Sequence, residues 1–494
     1  MISAFTYVFT LLVVPAKGLQ LAAHDWSTAV AHVMSAPAGP DAEVSAGDVK
    51  EAFRHALKGY VSHAADYDDV RPISGEARDW LGTHNTLLDS LSTMWLMGLH
   101  DEFNMAKQHV ANISFSFHLY DHSLFETTIR ALGGLCSAHS LSGEQVFLKK
   151  AVELADYLLP CFTDSICGGF DNLAERGSLQ LEFRYVSQQT GDPRYQEAVD
   201  HIFTDMLANG IHVQNMGAGH DSFYEYLLKV YLQTGMREEA LRDAWVDSMN
   251  QMRDVLIKTT PKGTVFLSDG GKNEMEHLAC FAGGMLALGA HSLPDNELAP
   301  QWTQLGENLT KTCYKTSRMT KTGLAPERTQ FYDEDPEMRL FSSMTGQSVS
   351  ILRPEIAESI FYQHYYTGDP KYKTWAANMF RAFNTSSRTE IGFAEVMDVD
   401  EDPPRLRDKM ESFFLAETLK YLYLTLAPPG VLDLSKFVFN TEAHPLKVNA
   451  SGKIAFNKVA KEDTVIGPFL SLLASSKHHL EVPLYSFFGN RTIL

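Results

Sequence analysis

The chain has 494 residues, 45% of them apolar, and a formal net charge of −19 at pH 7. That length can bury a large core and suggests two or three domains, while so acidic a balance argues against nucleic acid or an anionic membrane as partner. There is no Walker loop, no convincing dinucleotide fingerprint and no His-Glu-x-x-His zinc spacing, so carboxylates are left to carry the chemistry.

The first sixteen residues, Met1 to Ala16, hold no charge before Lys17. The run is short for a bilayer span and about right for a signal-peptide core, although a basic n-region is missing. Small residues at Ala22 and Ala23 suit a signal peptidase, so residues 1–23 are expected to be a signal peptide or a membrane anchor. Residues 24–48, rich in Ala, Ser, Pro, Gly and Asp, are expected to be a stem or linker. Sequons at Asn112, Asn308, Asn384, Asn449 and Asn490 support passage through the secretory pathway. The five cysteines are Cys136, Cys161, Cys167, Cys280 and Cys313, an odd number that leaves at least one thiol unpaired in an oxidising compartment.

From Val49 to about Ala427 the periodicity is helical, as in Leu87-Leu91-Met94-Trp95 and Phe413-Leu415-Leu419-Leu422. Clean strand alternation is scarce before Lys436-Phe437-Val438-Phe439. Thr190-Gly191-Asp192-Pro193-Arg194-Tyr195 recurs as Thr367-Gly368-Asp369-Pro370-Lys371-Tyr372, each copy between an aromatic-rich helix and an amphipathic one, Gln196–Leu207 and Thr374–Phe383. Looser copies stand at Leu141–Glu144 and Gln233–Met236. Repeated helix, glycine turn, helix fits either a solenoid of interaction repeats or a closed toroid of helical hairpins.

Where the acids fall separates these readings. Pro354 suits the start of a helix whose opening turn carries Glu355 and Glu358 on one face, with Arg353 just outside. Ser123 and Glu126, and again Ser222 and Glu225, have capping-box spacing, which would make those acids structural. Glu126 with Arg130 has the spacing of a plain helix salt bridge, and acids near helix starts also complement the dipole. Yet Asp221 follows a Gly-rich loop, and Glu411 and Glu417 stand among Phe413, Phe414 and Leu415. If hairpins close a ring, such helix starts would line one acidic, aromatic pocket. Aromatic faces stack on sugars, paired carboxylates hydrolyse glycosides, and excess oxygen donors suit Ca²⁺.

On these residues the chain resembles the class I α-1,2-mannosidases of glycoside hydrolase family 47, which trim high-mannose N-glycans in the ER and Golgi. The resemblance runs from about Ala52 to Leu446. It is carried by Phe125-Glu126…Ile129-Arg130, Leu179–Tyr185, Asp221–Lys229, His277–Phe281, Arg353-Pro354-Glu355, Glu411–Glu417 and Phe439-Asn440-Thr441-Glu442-Ala443-His444-Pro445-Leu446.

The resemblance implies an all-α (α/α)₇ barrel over residues 49–446, one end plugged by a β-hairpin near Phe439–Leu446, with 447–494 an extension of unassigned role. It implies a Ca²⁺-dependent, inverting exo-glycosidase acting as a monomer on glycoproteins in the ER or Golgi lumen, or secreted. Thr441 would bind Ca²⁺ directly, through its carbonyl and hydroxyl, with Glu355, Glu358, Glu417 and Glu442 holding the ion's water shell. Glu355 would be the base that activates water. Glu126 would be the general acid, with Asp221 its rival for either proton-transfer role. Arg130, Glu225, His277, Arg353, Phe413 and Glu417 would contact the sugar or orient the acids. A Cys280–Cys313 disulfide is implied, leaving Cys136, Cys161 and Cys167 for any free thiol.

Two departures bear on function. Ser92 stands where such enzymes carry a second Asp, and Gly219 stands where ER-type enzymes carry an Arg that restricts the mannose cut. The rival readings are a degradation-enhancing relative acting as a glycan receptor, for which the Gly217-Ala218-Gly219 run speaks, and a helical-repeat scaffold without chemistry.

Overall fold

The computed structural model describes residues 43–449 except 121, 163–166 and 169–170. The expected signal segment, the linker up to residue 42, Asn490 and the extension from residue 450 lie outside the described residues. Among the described residues no helix is long and apolar enough to cross a membrane.

The molecule is mostly helical, and its helices alternate in character along the chain. Ala46–Ala64, His100–Val110, Gln145–Leu158, Arg194–Ala208, Glu239–Val255, Ala299–Arg318 and Lys371–Ser386 each bury one stripe and expose the other. Between them run Asn85–Leu96, Gly133–Ser142, Gln180–Thr190, Asp221–Gln233, Ala282–Ser292, Glu355–Thr367 and Leu419–Leu426, buried on nearly every side. A helix buried all round must be enclosed by other elements. Asn85–Leu96 packs on Gly133–Ser142, that on Gln180–Thr190, and that on Asp221–Gln233. Ala282–Ser292 packs on Glu355–Thr367, which packs on Leu419–Leu426. The turn Phe414–Thr418 returns to Asn85–Leu96, and the first helix, Ala46–Ala64, pairs with the last, Leu419–Leu426. Close approach has a local cause at Gly134, where a Cβ would come 2.3 Å from the Leu88 carbonyl oxygen.

The Thr-Gly-Asp-Pro repeats build the same joint twice. Gly191 and Gly368 close their helices at φ +77° and +67°. The following Asp side chains then accept from the first N–H of the next helix, Asp192 from Arg194 at 3.0 Å and Asp369 from Lys371 at 2.9 Å. The helices start a little earlier than the periodicity suggests for this reason.

Three expectations need correction. The first helix starts at Ala46, inside the 24–48 stretch read as linker, because Ser45 and Asp48 form a reciprocal capping box. The body is not purely helical: among the described residues five small antiparallel sheets decorate it, with strands of two to four residues, too short for alternation to show. One is the expected C-terminal hairpin, pairing Phe437 with Lys447, Val438 with Leu446 and Phe439 with Pro445, so its second strand passes the expected boundary at 446 by one residue. Third, the cysteines: Cys280–Cys313 is joined as implied, with Cα atoms 5.8 Å apart, but Cys161 and Cys167 are joined too. They lie 6 residues apart in sequence, leaving buried Cys136 as the free thiol.

Candidate active site

Glu126 sits in the first turn of a helix capped by Ser123, whose hydroxyl accepts from the Glu126 N–H at 3.2 Å. The reciprocal half of a capping box is not made. The Glu126 carboxylate instead accepts from Arg130 Nε at 2.7 Å. Arg130 lies in a π-helical turn, Thr127–Leu132, the kind of local distortion that is frequent at functional sites. Its guanidinium also pairs with Glu442, donates to Ser412 Oγ at 3.1 Å and stands 5.6 Å from the Phe413 ring centroid. One buried cation therefore joins an acid, an aromatic face and the hairpin tip.

Asp221 opens its helix, and Ser222 lies inside that helix rather than capping it, its hydroxyl accepting from Ser178 at 2.8 Å. The second capping-box reading also fails. Burial, with the charges of Glu355 and Glu225, pushes the Asp221 carboxyl up to about 7. Glu225, one turn on, pairs with buried Lys229, which is 4.0 Å from Glu358.

Pro354 occupies the N-cap rather than the first helical position, and Glu355 and Glu358 follow in the first turn, both buried. Glu355 Oε1 is 3.7 Å from Arg353 Nη1, and its Oε2 is 3.7 Å from His277 Nε2. Neither Glu355 Oε2 nor His277 Nε2 has a hydrogen-bond partner although both are buried. Burial lifts the Glu355 carboxyl to about 7, and burial together with Arg353 lowers the His277 ring to about 3, so the imidazole is neutral. Arg353 is itself held by Glu327, its Nε 2.7 Å from Oε2.

The hairpin tip is fastened by Asn440. Its side-chain nitrogen donates to the Ile129 carbonyl at 2.8 Å and to Glu182 Oε1 at 2.7 Å, while its Oδ1 accepts from Glu442 and His444 N–H groups. The Thr441 N–H reaches Tyr226 Oη at 3.4 Å. Glu417 lies in a second π-helical turn, Phe414–Thr418. Burial first, and neighbouring carboxylates second, hold Glu358 (beside Glu225), Glu417 (beside Glu442) and Glu442 (beside Asp89) well above the usual carboxylate range.

Asp89, Glu182, Lys229 and Ser412 lie in sequence motifs without a role assigned from sequence, and Glu327 carries no sequence signal at all; the structure places all five beside the acids. Ser412 donates to Asp89 and accepts from Asn85 Nδ2 at 2.9 Å, so it fixes Arg130 from behind. Ser92 touches His444 Nδ1 at 3.0 Å and Lys420 Nζ at 2.9 Å. Buried without an acid at that distance, Lys420 is pushed down to about 7. Gly219 has φ +79°, and a Cβ there would meet the Asn172 side chain at 3.3 Å. An Arg would be strained in that conformation.

A carboxylate cluster this deeply buried is stable in its charged form only around cations, and oxygen donors select a hard ion. The acids of the cluster do not bring three donor atoms within 4.8 Å of one another; among the described residues only Asp66, His84 and His109 do so.

Buried acids drawn from several helices, with an aromatic face beside them, are the equipment of a glycoside hydrolase. The profile of Glycosyl hydrolase family 47 matches residues 52–448, and the chain belongs to that family. It is 39% identical over 463 residues to mannosyl-oligosaccharide 1,2-alpha-mannosidase MNS1 of Arabidopsis thaliana, covering 84% of this chain and 80% of that protein. It is 36% identical over 449 residues to the endoplasmic reticulum mannosyl-oligosaccharide 1,2-alpha-mannosidase of Homo sapiens, covering 81% of this chain and 63% of that protein. Its fold resembles the alpha-1,2-mannosidase from Trichoderma reesei with a TM-score of 0.74 and 28% identity, covering 82% of this chain and 98% of that one.

Proposed function

We propose that this chain is an inverting α-1,2-mannosidase that trims terminal mannose from high-mannose N-glycans in the lumen of the secretory pathway. The observation that carries the reading is the convergence of Glu126, Asp221, Glu355 and Glu417, from four helical elements, with Phe413 and the Asn440–Glu442 tip. The alternating helices support a seven-hairpin barrel whose buried members face the axis and whose hairpin closes one end.

Glu355 is the base. Its Oε2 is buried without a hydrogen-bond partner and so keeps a lone pair for a water, while Arg353 and the neutral His277 ring stand 3.7 Å from the carboxylate oxygens. Glu126 or Asp221 supplies the proton to the leaving oxygen. Asp221 has the raised pKa of a general acid, while Glu126 has the connection through Arg130 to the sugar-stacking ring of Phe413. Acid and base on separate helices leave room for the attacking water, about 6.5–9.5 Å between carboxyls in an inverting enzyme. Phe413 stacks on the terminal mannose, and Glu225 and Glu417 accept from its hydroxyls.

Calcium is the ion this oxygen-rich cluster fits. Thr441 would hold it directly, with Glu355, Glu358, Glu417 and Glu442 acting through water, and the bound ion would fix sugar hydroxyls. Gly219 in place of Arg supports cleavage of more than one α-1,2 linkage.

The test is incubation of pure protein with a nine-mannose oligosaccharide, following released mannose by proton NMR. The β-anomer should appear first, and Glu355→Gln should keep less than about a tenth of turnover, as loss of a general base costs 10²–10⁴-fold. Binding without release of mannose would instead favour the glycan-receptor reading.

A further inference from the structure

We propose that Asp66, His84 and His109 form a metal site, separate in its ligand chemistry from the carboxylate cluster, for a divalent transition-metal ion of the zinc class. Each residue offers one donor atom, and the three lie within 4.8 Å of one another. His109 Nε2 is 3.7 Å from Asp66 Oδ1, beyond hydrogen-bond range, so acid and ring flank a space rather than bonding across it. The His84 and His109 rings stand edge to face, with centroids 5.4 Å apart.

The chain prepares this arrangement. Asp66 lies just past the helix Ala46–Ala64, His84 is the N-cap of Asn85–Leu96, and His109 is in the last turn of His100–Val110. Three chain segments thus meet at one point. His84 has φ +57° and ψ +46°, a left-handed conformation a non-glycine residue holds only when its surroundings impose it. The surroundings here are the Asp68 carboxylate, which accepts from the N–H groups of Trp80, Leu81, Gly82, Thr83 and Asn85. That wrap turns the loop and fixes His84 against His109. His84 Nδ1 lies 3.3 Å from the Ala65 carbonyl, so it carries the proton and Nε2 is left with a free lone pair. A carbonyl behind a ligating imidazole is the usual second partner at metal sites.

Two imidazoles and one carboxylate select zinc-class ions over calcium. Ligands about 2.0–2.1 Å from a tetrahedral ion stand about 3.4 Å apart. Asp66 is exposed, so a modest swing of its carboxylate closes the gap and leaves the fourth position to water.

The test uses the full chain with excess Ca²⁺ present, so that the carboxylate cluster does not compete for the titrant. Zn²⁺ is titrated calorimetrically into wild type, Asp66→Asn and His84→Asn, the last chosen because Asn tolerates the left-handed backbone. Wild type should take up one equivalent that both variants bind at least about tenfold more weakly. Co²⁺ should show visible bands in wild type that the variants lack. The proposal is overturned if wild type takes up no Zn²⁺ under these conditions, or if the variants bind it as wild type does. Asp66→Asn changes an exposed side chain, so it decides the matter even if His84→Asn fails to fold.

Discussion

Asn440 and Glu182, 258 residues apart in sequence, meet at 2.7 Å, with Tyr226 Oη on the same carboxylate oxygen at 2.8 Å. Burial lifts the Glu182 carboxyl to about 7 even so, and without Asn440 the helix Gln180–Thr190 would hold a poorly satisfied buried acid. Asn440→Leu should therefore cost at least about 1–3 kcal/mol, the price of an unsatisfied buried polar group, and should weaken sugar binding because Thr441 is its neighbour. Urea denaturation and inhibitor titration on one preparation would measure both, and an unaltered urea midpoint would refute the claim.

Arg130 ties Glu126, Glu442 and Ser412 together from a site with 9% side-chain exposure. Arg130→Met removes the cation and leaves buried acids facing one another, so unfolding free energy should fall by about 3–5 kcal/mol. Arg130→Lys should restore charge without the planar fork and recover stability only in part. Equal stability of the Met and Lys variants would show that charge is not what matters there.

His277 supplies a pH dependence whose sign is fixed. Its folded pKa, about 3, lies below the value of about 6.5 expected in the unfolded chain. Its contribution to stability is thus complete above pH 6.5 and is lost as pH falls toward 3, by up to about 1.4 kcal/mol per pH unit. His277→Gln should lose less stability than wild type between pH 6.5 and pH 4. Parallel stability curves would mean that the ring is not held neutral.

The Cys280–Cys313 bridge closes a loop of 33 residues and ties the turn before Ala282–Ser292 to the helix Ala299–Arg318. Cys280→Ala with Cys313→Ala should lower stability by about 3–4 kcal/mol, from loop-closure entropy. The shorter Cys161–Cys167 loop, spanning 6 residues, should matter less. Thermal melts of the two double variants give the order directly.

Removal of Ca²⁺ should lower the melting temperature as well as activity, since a ligand bound only by the folded state adds RT ln(1 + [L]/Kd) to stability. Glu417→Gln should blunt this response, because Glu417 is one of the buried acids proposed to hold the ion through water. A chelated enzyme with an unchanged melt and full turnover would remove the calcium reading.

The acids themselves were legible in the sequence because helix starts, glycine turns and aromatic neighbours are local signals. Glu126 and Asp221 were found that way, and so was the Glu355–Glu358 turn. What holds them was not legible. Ser123 caps its helix as its spacing suggests, yet Glu126 turns to Arg130, a choice made by Glu442 and Ser412 from 312 and 282 residues away. Lys229 is by type a surface residue, yet it is buried against Glu225 and 4.0 Å from Glu358. The π-helical turns at Arg130 and Glu417 have no sequence signature, since they arise from packing around the site. The Cys161–Cys167 bridge was missed because six-residue spacing is common to paired and unpaired cysteines.

The pairing of the first helix, Ala46–Ala64, with the last, Leu419–Leu426, has a consequence for biosynthesis. A ribosome delivers Ala46–Ala64 long before its partner exists, so that helix must wait with an apolar stripe uncovered. The hairpin carrying Thr441 emerges later still, and Asn440 must then reach back 311 residues to Ile129. A nascent chain halted before that hairpin would hold most of the acids and none of the tip that gathers them. Premature termination anywhere upstream of Phe437 should therefore yield silent protein, and chaperones of the compartment would meet the chain through its unpaired first helix.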